Sequence, residues 1–254
     1  MRSIAPEQAR ICLGCWDQMH MPIPLRGLLA LPFRAFGITR SKMNPNICTI
    51  CERSFTYVKK QRHITADATI LFADIRGFTH LSGQLDPNAL TRVVSQFHDQ
   101  CAQAIWSEGG IVNKQMGDGL MAIFNFPIKN DRHAEAAIRA AIDIQRRCKR
   151  AHRGLSVPGG PQLDTLPGVG VGIHAGEVEI GEFSTFRSDF TAIGGTVNLT
   201  SRLEAQAAAG EILVSSAAAE AAPEQMAAAT IRQLTLKGID QPVLAHVLKD
   251  VPAA

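Results

Sequence analysis

Between residues 64 and 124 the apolar positions change their period twice. "ITADATILFAD" (64–74) is rich in branched apolar residues and predicts a strand. "PNALTRVVSQFHDQCAQAIWSEGG" (87–110) sets Leu90, Val93, Val94, Phe97, Cys101, Ala104 and Ile105 at helical spacing, stopped by Gly109-Gly110. "IVNKQMGDGLMAIF" (111–124) is two apolar runs about a Gly-Asp-Gly turn, the signature of a hairpin. A long amphipathic helix follows in "DRHAEAAIRAAIDIQRRCKRAHRG" (131–154), capped by Asp131, and 156–168 reads as a loop. "VGVGIHAGEVEIGEF" (169–183) and "EILVS" predict strands, while "GGTVNLTSRLEAQAAAG" (194–210) predicts a helix ending on glycine. The alanine-rich 216–229 reads as ordinary helix, and "IRQLTLKG" with "QPVLAHVLK" as a closing strand pair. Strand, helix, hairpin, helix, strand is a βαββαβ order. It implies an α+β, ferredoxin-like sheet with helices on one face and extra C-terminal strands.

The first 63 residues break this pattern. They show little periodicity and carry 10 Lys+Arg against 3 Asp+Glu, a charge of +7, whereas residues 64–254 carry 16 against 20, or −4. We therefore divide the chain into a Cys-rich basic segment, 1–63, and a regularly patterned α+β domain, 64–254. Cys12-x-x-Cys15 and Cys48-x-x-Cys51 lie in the former with 32 residues between them. Two CxxC pairs suit tetrahedral zinc or an iron–sulfur cluster, with free buried thiols as the alternative. Cys101 and Cys148 fall on predicted helices and read as core thiols. The basic charge beside "PLRGLLALPFRAFGI" suits peripheral contact with a membrane surface, an acidic partner or a second subunit. No apolar run approaches the roughly 18 residues of a membrane span, and no signal-peptide core is present, so a cytoplasmic location is expected.

A carboxylate at the end of the first strand, Asp74, costs several kcal/mol unless compensated. A cap, a hydrogen-bonded turn or a cation would each serve. Asp118, in the hairpin turn 44 residues on, can reach the same sheet edge. Two carboxylates held together repel unless a cation lies between them, and Mg²⁺ takes one or two carboxylates with phosphate oxygens completing its shell. Asp118 as a plain turn residue is the alternative. In "DIRGFT", Gly77 permits a tight turn whose neighbouring N–H groups, at Phe78 and Thr79, can face phosphate oxygens.

"ILFADIRGFTHLS", "NKQMGDGLMAIF" and "TAIGGTVNLTSRLEAQA" together resemble the three signature stretches of the class III adenylate/guanylate cyclase catalytic domain. The resemblance covers roughly residues 64–250. It implies that Asp74 and Asp118 hold two Mg²⁺ or Mn²⁺ ions, with Ile75 lending a backbone carbonyl. It implies that Lys114 selects adenine, that Asn198 and Arg202 orient the ribose and stabilise the phosphorus transition state, and that Lys237 binds phosphate. Many members carry an aspartate seven residues before the asparagine. Thr191 stands there instead, as in the subgroup that includes bicarbonate-responsive cyclases.

The residue chemistry agrees with an adenine substrate. A lysine ammonium donates and cannot accept, so Lys114 suits the acceptor N1 of adenine and not the protonated N1 of guanine. The Thr191 hydroxyl can accept from the adenine amino group. Asn198 and Arg202 are four apart and share a helix face. Lys114 and Asp118 are about 13 Å apart along a strand, and in the family two such residues serve different sites. The resemblance thus implies a head-to-tail homodimer with two shared sites, in which the ribose 3′-oxygen of ATP attacks the α-phosphorus and expels pyrophosphate. A guanylate cyclase and a catalytically silent nucleotide-binding dimerisation module are the alternatives. No nucleic-acid partner is expected, because aromatic residues are sparse among the basic ones.

Overall fold

The computed structural model describes residues 9–54, 63–152, 168–183 and 190–249. The expected loop over 156–167 and the lead into the first strand at 55–62 lie outside these residues.

The βαββαβ core forms as the periodicity predicts. It comprises β1 (His63–Ile75), α5 (Pro87–Ser107), β2 (Ile111–Met116), β3 (Gly119–Phe124), α6 (His133–His152) and β4 (Val169–Glu182). Short helices flank β1: α1 (Leu13–Met19), a 3-10 turn (Leu28–Ala30), α2 (Leu31–Ala35) and α3 (Thr49–Ser54) before it, and α4 (Phe78–Ser82) after it. Then come β5 (Phe190–Ile193), α7 (Gly195–Gln206), β6 (Ile212–Ser215), α8 (Ser216–Glu220), β7 (Thr230–Leu234) and β8 (Val243–Leu248). The sheet runs β2-β3-β1-β4-β6-β8-β7, with β5 paired to β4. β1 is central and antiparallel to both β3 and β4; β4 and β6 are parallel.

Period-two alternation assigns the two faces. Leu71, Ala73, Ile75, Leu120, Ala122, Phe124, Val169, Val171 and Ile173 turn towards α5 and α6 in the larger core. Ile70, Phe72, Met121, Ile123, Val178 and Ile180 turn the other way. That second face is covered by the N-terminal segment, whose Ile23, Leu25 and Ile47 pack into the same cluster. The segment is also hydrogen-bonded in place. Met43 O accepts from Trp106 Nε1 at 2.6 Å and from Val112 N at 3.1 Å, and Asn44 Nδ2 donates to Gly110 O at 2.9 Å. Leu28, Leu29, Leu31 and Phe36 of the segment remain exposed.

α7 lies on the strand surface itself. A side chain at Gly172 of β4 would collide with the backbone of Thr200 and Glu204, so only glycine lets the helix settle so closely.

Two helix boundaries differ from expectation. α6 begins at His133, two residues after Asp131, and Asn130 Oδ1 accepts from Arg132 N at 3.0 Å in the turn that leads into it. The alanine-rich stretch is helical only over Ser216–Glu220. Pro223 has no N–H to donate and disfavours helix at the residue before it, so the chain continues in successive turns to Ala229. Cys101 and Cys148 are buried in the helical core, as expected.

Candidate active site and cysteine cluster

Asp74 is the penultimate residue of β1, in register with Gly119 of β3 and Gly170 of β4. The two-residue hairpin turn Gly117-Asp118 brings Asp118 alongside, and Ile75 N donates to Asp118 O at 3.2 Å. Asp74 Oδ1 is buried without a hydrogen-bond partner. Burial, then the charge of Asp118, then that of Glu204 push the Asp74 carboxyl up from 3.8 to about 7. Arg76 opposes the rise, with Nη1 at 3.9 Å from Asp74 Oδ2. The same guanidinium pairs with the Glu204 carboxylate and its backbone carbonyl on α7. It occupies the space that a side chain at Gly170 would take. Burial holds Glu204 above its ordinary value despite the pair.

Beyond Arg76 the chain turns at Gly77, whose φ of 71° favours glycine, into α4. Phe78 is half-buried against the helical core and Thr79 is exposed.

Lys114 is half-buried on β2, just after a bulge between Val112 and Lys114. The bulge re-aims the side chain at its centre, and Asn113 turns to β5. Asn113 Nδ2 donates to Phe190 O at 2.9 Å, which fixes the amide so that Oδ1 faces Thr191. The Thr191 hydroxyl donates to that Oδ1 at 3.2 Å. Its proton is thus engaged, and its lone pairs remain to accept from a ligand.

Asn198 and Arg202 lie one turn apart on α7, the first exposed and the second half-buried. Arg202 Nη2 is 3.4 Å from the place a side chain at Gly238 would occupy, and the exposed Lys237 directly precedes that glycine. Three groups therefore form within one chain: Asp74 with Asp118, Asn113 with Thr191 next to Lys114 in sequence, and Arg202 with the Lys237 turn.

Cys12, Cys15, Cys48 and Cys51 also converge, all buried, their sulfurs within 4.8 Å of one another. A hydrogen bond from Cys12, with others from the cluster, holds the Cys48 thiol down at about 2, while burial pushes Cys15 up to about 12.

Arg76, Glu204 and Asn113 are site residues that sequence reasoning missed. Arg76 and Glu204 sit inside the quoted motifs, where a charge flanked by apolar positions was the available signal. Asn113 depends on the bulge, which the sequence does not announce.

Residues 58–250 match the family model described as the adenylate and guanylate cyclase catalytic domain. An adenylate cyclase of Anabaena cylindrica is 33% identical over 162 residues, 63% of this chain and 31% of that protein. The chain spans about a third of that curated relative's length. Among solved structures, the guanylyl cyclase Cya2 aligns at a TM-score of 0.67 with 29% identity, covering 72% of this chain and 92% of that one. The adenylyl cyclase CyaB from P. aeruginosa aligns at 0.64 with 29% identity, covering 74% and 96%.

Proposed function

The chain belongs to the adenylate and guanylate cyclase catalytic domain family, and on that premise we propose that it is an adenylate cyclase, converting ATP to 3′,5′-cyclic AMP and pyrophosphate. Residues 64–254 carry the catalysis, and the N-terminal segment, residues 1–63, is regulatory. The observation that carries the reading is Asp74. Its Oδ1 is buried and unpartnered, and burial, with the charge of Asp118 beside it, raises its carboxyl to about 7. Such a pair fits divalent cations, Mg²⁺ or Mn²⁺, held by Asp74, Asp118 and the Ile75 carbonyl. When bound, these ions supply positive charge at the reacting oxygens.

The chain's own residues do the rest. Lys114 donates to adenine N1, and Thr191, its proton engaged by Asn113, accepts from the amino group. Guanine presents the opposite polarity at both positions. This supports ATP over GTP, although relatives of both specificities are similar to this chain. Asn198 orients the ribose. Arg202 spreads its guanidinium over the oxygens of the phosphorus undergoing attack, where charge accumulates. Lys237, on the adjoining turn, and the N–H groups after Gly77 hold the remaining phosphates.

We assign the protein a head-to-tail homodimer, in which Asp74 and Asp118 of one chain face Lys114, Thr191, Asn198 and Arg202 of the other. None of its six cysteines forms a disulfide, which suits the reducing cytoplasm. No helix among the described residues is long and apolar enough to cross a membrane.

The test is direct. Purified protein is incubated with ATP or GTP and Mn²⁺ or Mg²⁺, and cyclic nucleotide and pyrophosphate are measured. Cyclic AMP that vanishes in Asp74→Ala supports the reading; no product from either nucleotide would reduce the protein to a silent nucleotide-binding module.

A further inference from the structure

The four N-terminal cysteines are built as two matching turns. In the first, Cys15 N donates to Cys12 Sγ at 3.4 Å; in the second, Cys51 N donates to Cys48 Sγ at 3.4 Å. Cys48 N adds a further bond to Cys12 Sγ at 3.1 Å. These N–H groups aimed at sulfur favour thiolate over thiol. Gly14 lies between the first pair, and a side chain there would come within 2.8 Å of Cys51 Sγ, so the two turns can close on each other only over a glycine. Three sulfur pairs stand 3.4–3.5 Å apart, Cys12 with Cys51, Cys15 with Cys48 and Cys15 with Cys51.

We infer that these four thiolates hold a single tetrahedral zinc ion, and that the ion clamps the N-terminal segment onto the sheet face next to the purine-recognising strand. The spacing decides for one ion over a cluster. At a Zn–S distance of about 2.3 Å, tetrahedral geometry sets sulfurs about 3.8 Å apart, and all four sulfurs here lie within 4.8 Å of one another. An iron–sulfur cluster distributes its thiolates over different irons and spreads them further. Zinc, a borderline-soft ion without redox chemistry, is at home among four sulfurs. Each cysteine gives up its thiol proton to solvent as the ion enters, and no oxidation accompanies the step.

The clamp acts through contacts already described. The cysteines share one apolar cluster with Ile23, Leu25 and Ile47, and through these with Ile70 and Phe72 of β1 and Met121 of β3. From the same segment, Met43 O holds Val112 N at 3.1 Å. Val112 borders the bulge that aims Asn113 and places Lys114. Zinc therefore fixes the frame on which β2 is laid, and does so outside the Asp74–Asp118 site. The metal assignment stands independently of the cyclase reading; only the functional consequence rests on it.

Elemental analysis of the purified full chain tests the ion. The expected result is about one zinc per chain, without iron or acid-labile sulfide, retained in Asp74→Ala and in Cys101→Ser and reduced to about a fifth or less in Cys48→Ser. Zinc well below stoichiometric in the wild type, or iron with sulfide, overturns the proposal, as does loss of zinc in Asp74→Ala. Because Cys48→Ser could fail to fold, zinc is also withdrawn from wild-type protein with a thiol-modifying reagent while amide exchange is followed. Exchange at Ile111–Met116 should accelerate at least about tenfold, while α6 is unchanged. Unaltered exchange in β2 after zinc release overturns the clamp.

Discussion

Arg76, at the end of β1, pairs with Glu204 of α7, 128 positions later in the chain. Asp74 lies two residues before the first, and Arg202 two before the second. The pair thus joins the carboxylate site to the helix carrying Asn198 and Arg202. Arg76→Ala removes a cation that lowers Asp74, so the Asp74 carboxyl should rise above about 7. The acid limb of the pH–rate profile should move to higher pH, with Arg76→Lys in between. Loss of this partly buried pair should also lower stability by about 1–3 kcal/mol in chemical denaturation.

Asp74 has a second pH signature. Its carboxyl is raised in the fold, so its stabilising contribution is complete below the ordinary 3.8 and lost as pH rises through about 7. Without added divalent cations, Asp74→Asn should therefore gain stability relative to wild type between about pH 4 and pH 8. Mn²⁺ binding runs the other way, because the ion requires the carboxylate. Wild-type affinity, measured by titration calorimetry, should weaken about tenfold per pH unit below pH 7.

Base selectivity should depend on a residue that need not touch the base. Asn113→Ala removes the nearer acceptor of the Thr191 proton and leaves only Ala192 O, at 3.4 Å, so the hydroxyl can turn to donate, and donation suits the guanine carbonyl. The ratio of kcat/KM for ATP to that for GTP should fall about tenfold, the worth of one hydrogen bond. An unchanged ratio would remove Asn113 from the recognition set.

A shared site predicts complementation. Asp74→Ala and Arg202→Ala should each be nearly inactive alone. Mixed in equal amounts and allowed to exchange subunits, half the dimers are heterodimers with one intact site of two, giving about a quarter of wild-type activity. No recovery despite proven exchange would place both halves of the site in one chain.

Glu211 anchors the junction of α7 and β6. Arg232 grips it at 2.7 and 2.9 Å, Lys249 lies at 2.6 Å, and hydrogen bonding from Arg232 holds its carboxyl down at about 2. This contribution is present above the ordinary 4.5 and lost as pH falls through about 2. Glu211→Gln should cost about 2–3 kcal/mol at neutral pH, less than a fully buried pair because Arg232 and Lys249 are partly exposed. Urea denaturation measures it.

What could be read from the sequence was what local pattern controls. The hairpin at Gly117-Asp118 follows from turn chemistry, and the unbroken apolar runs of β1 and β3 follow from burial on both faces. The convergence of Asp74 with Asp118 needed only a strand end and an adjacent turn. Pairings between distant positions escaped notice: nothing local to Arg76 names Glu204, and nothing near Asn113 names Phe190. The alanine run between Ser216 and Ala229 misled for another reason, since helix propensity there gives way to the backbone limits set by Pro223.

Met43 offers one carbonyl oxygen to two donors, Trp106 and Val112, at either end of the α5–β2 junction. A shortened protein starting at residue 63 would lose that acceptor and strip the cover from Ile70, Phe72, Met121 and Ile123. Anyone trimming the chain for crystallisation at the apparent sequence boundary would be left with a sticky, half-undressed sheet; the smallest fragment worth expressing starts upstream of Cys12.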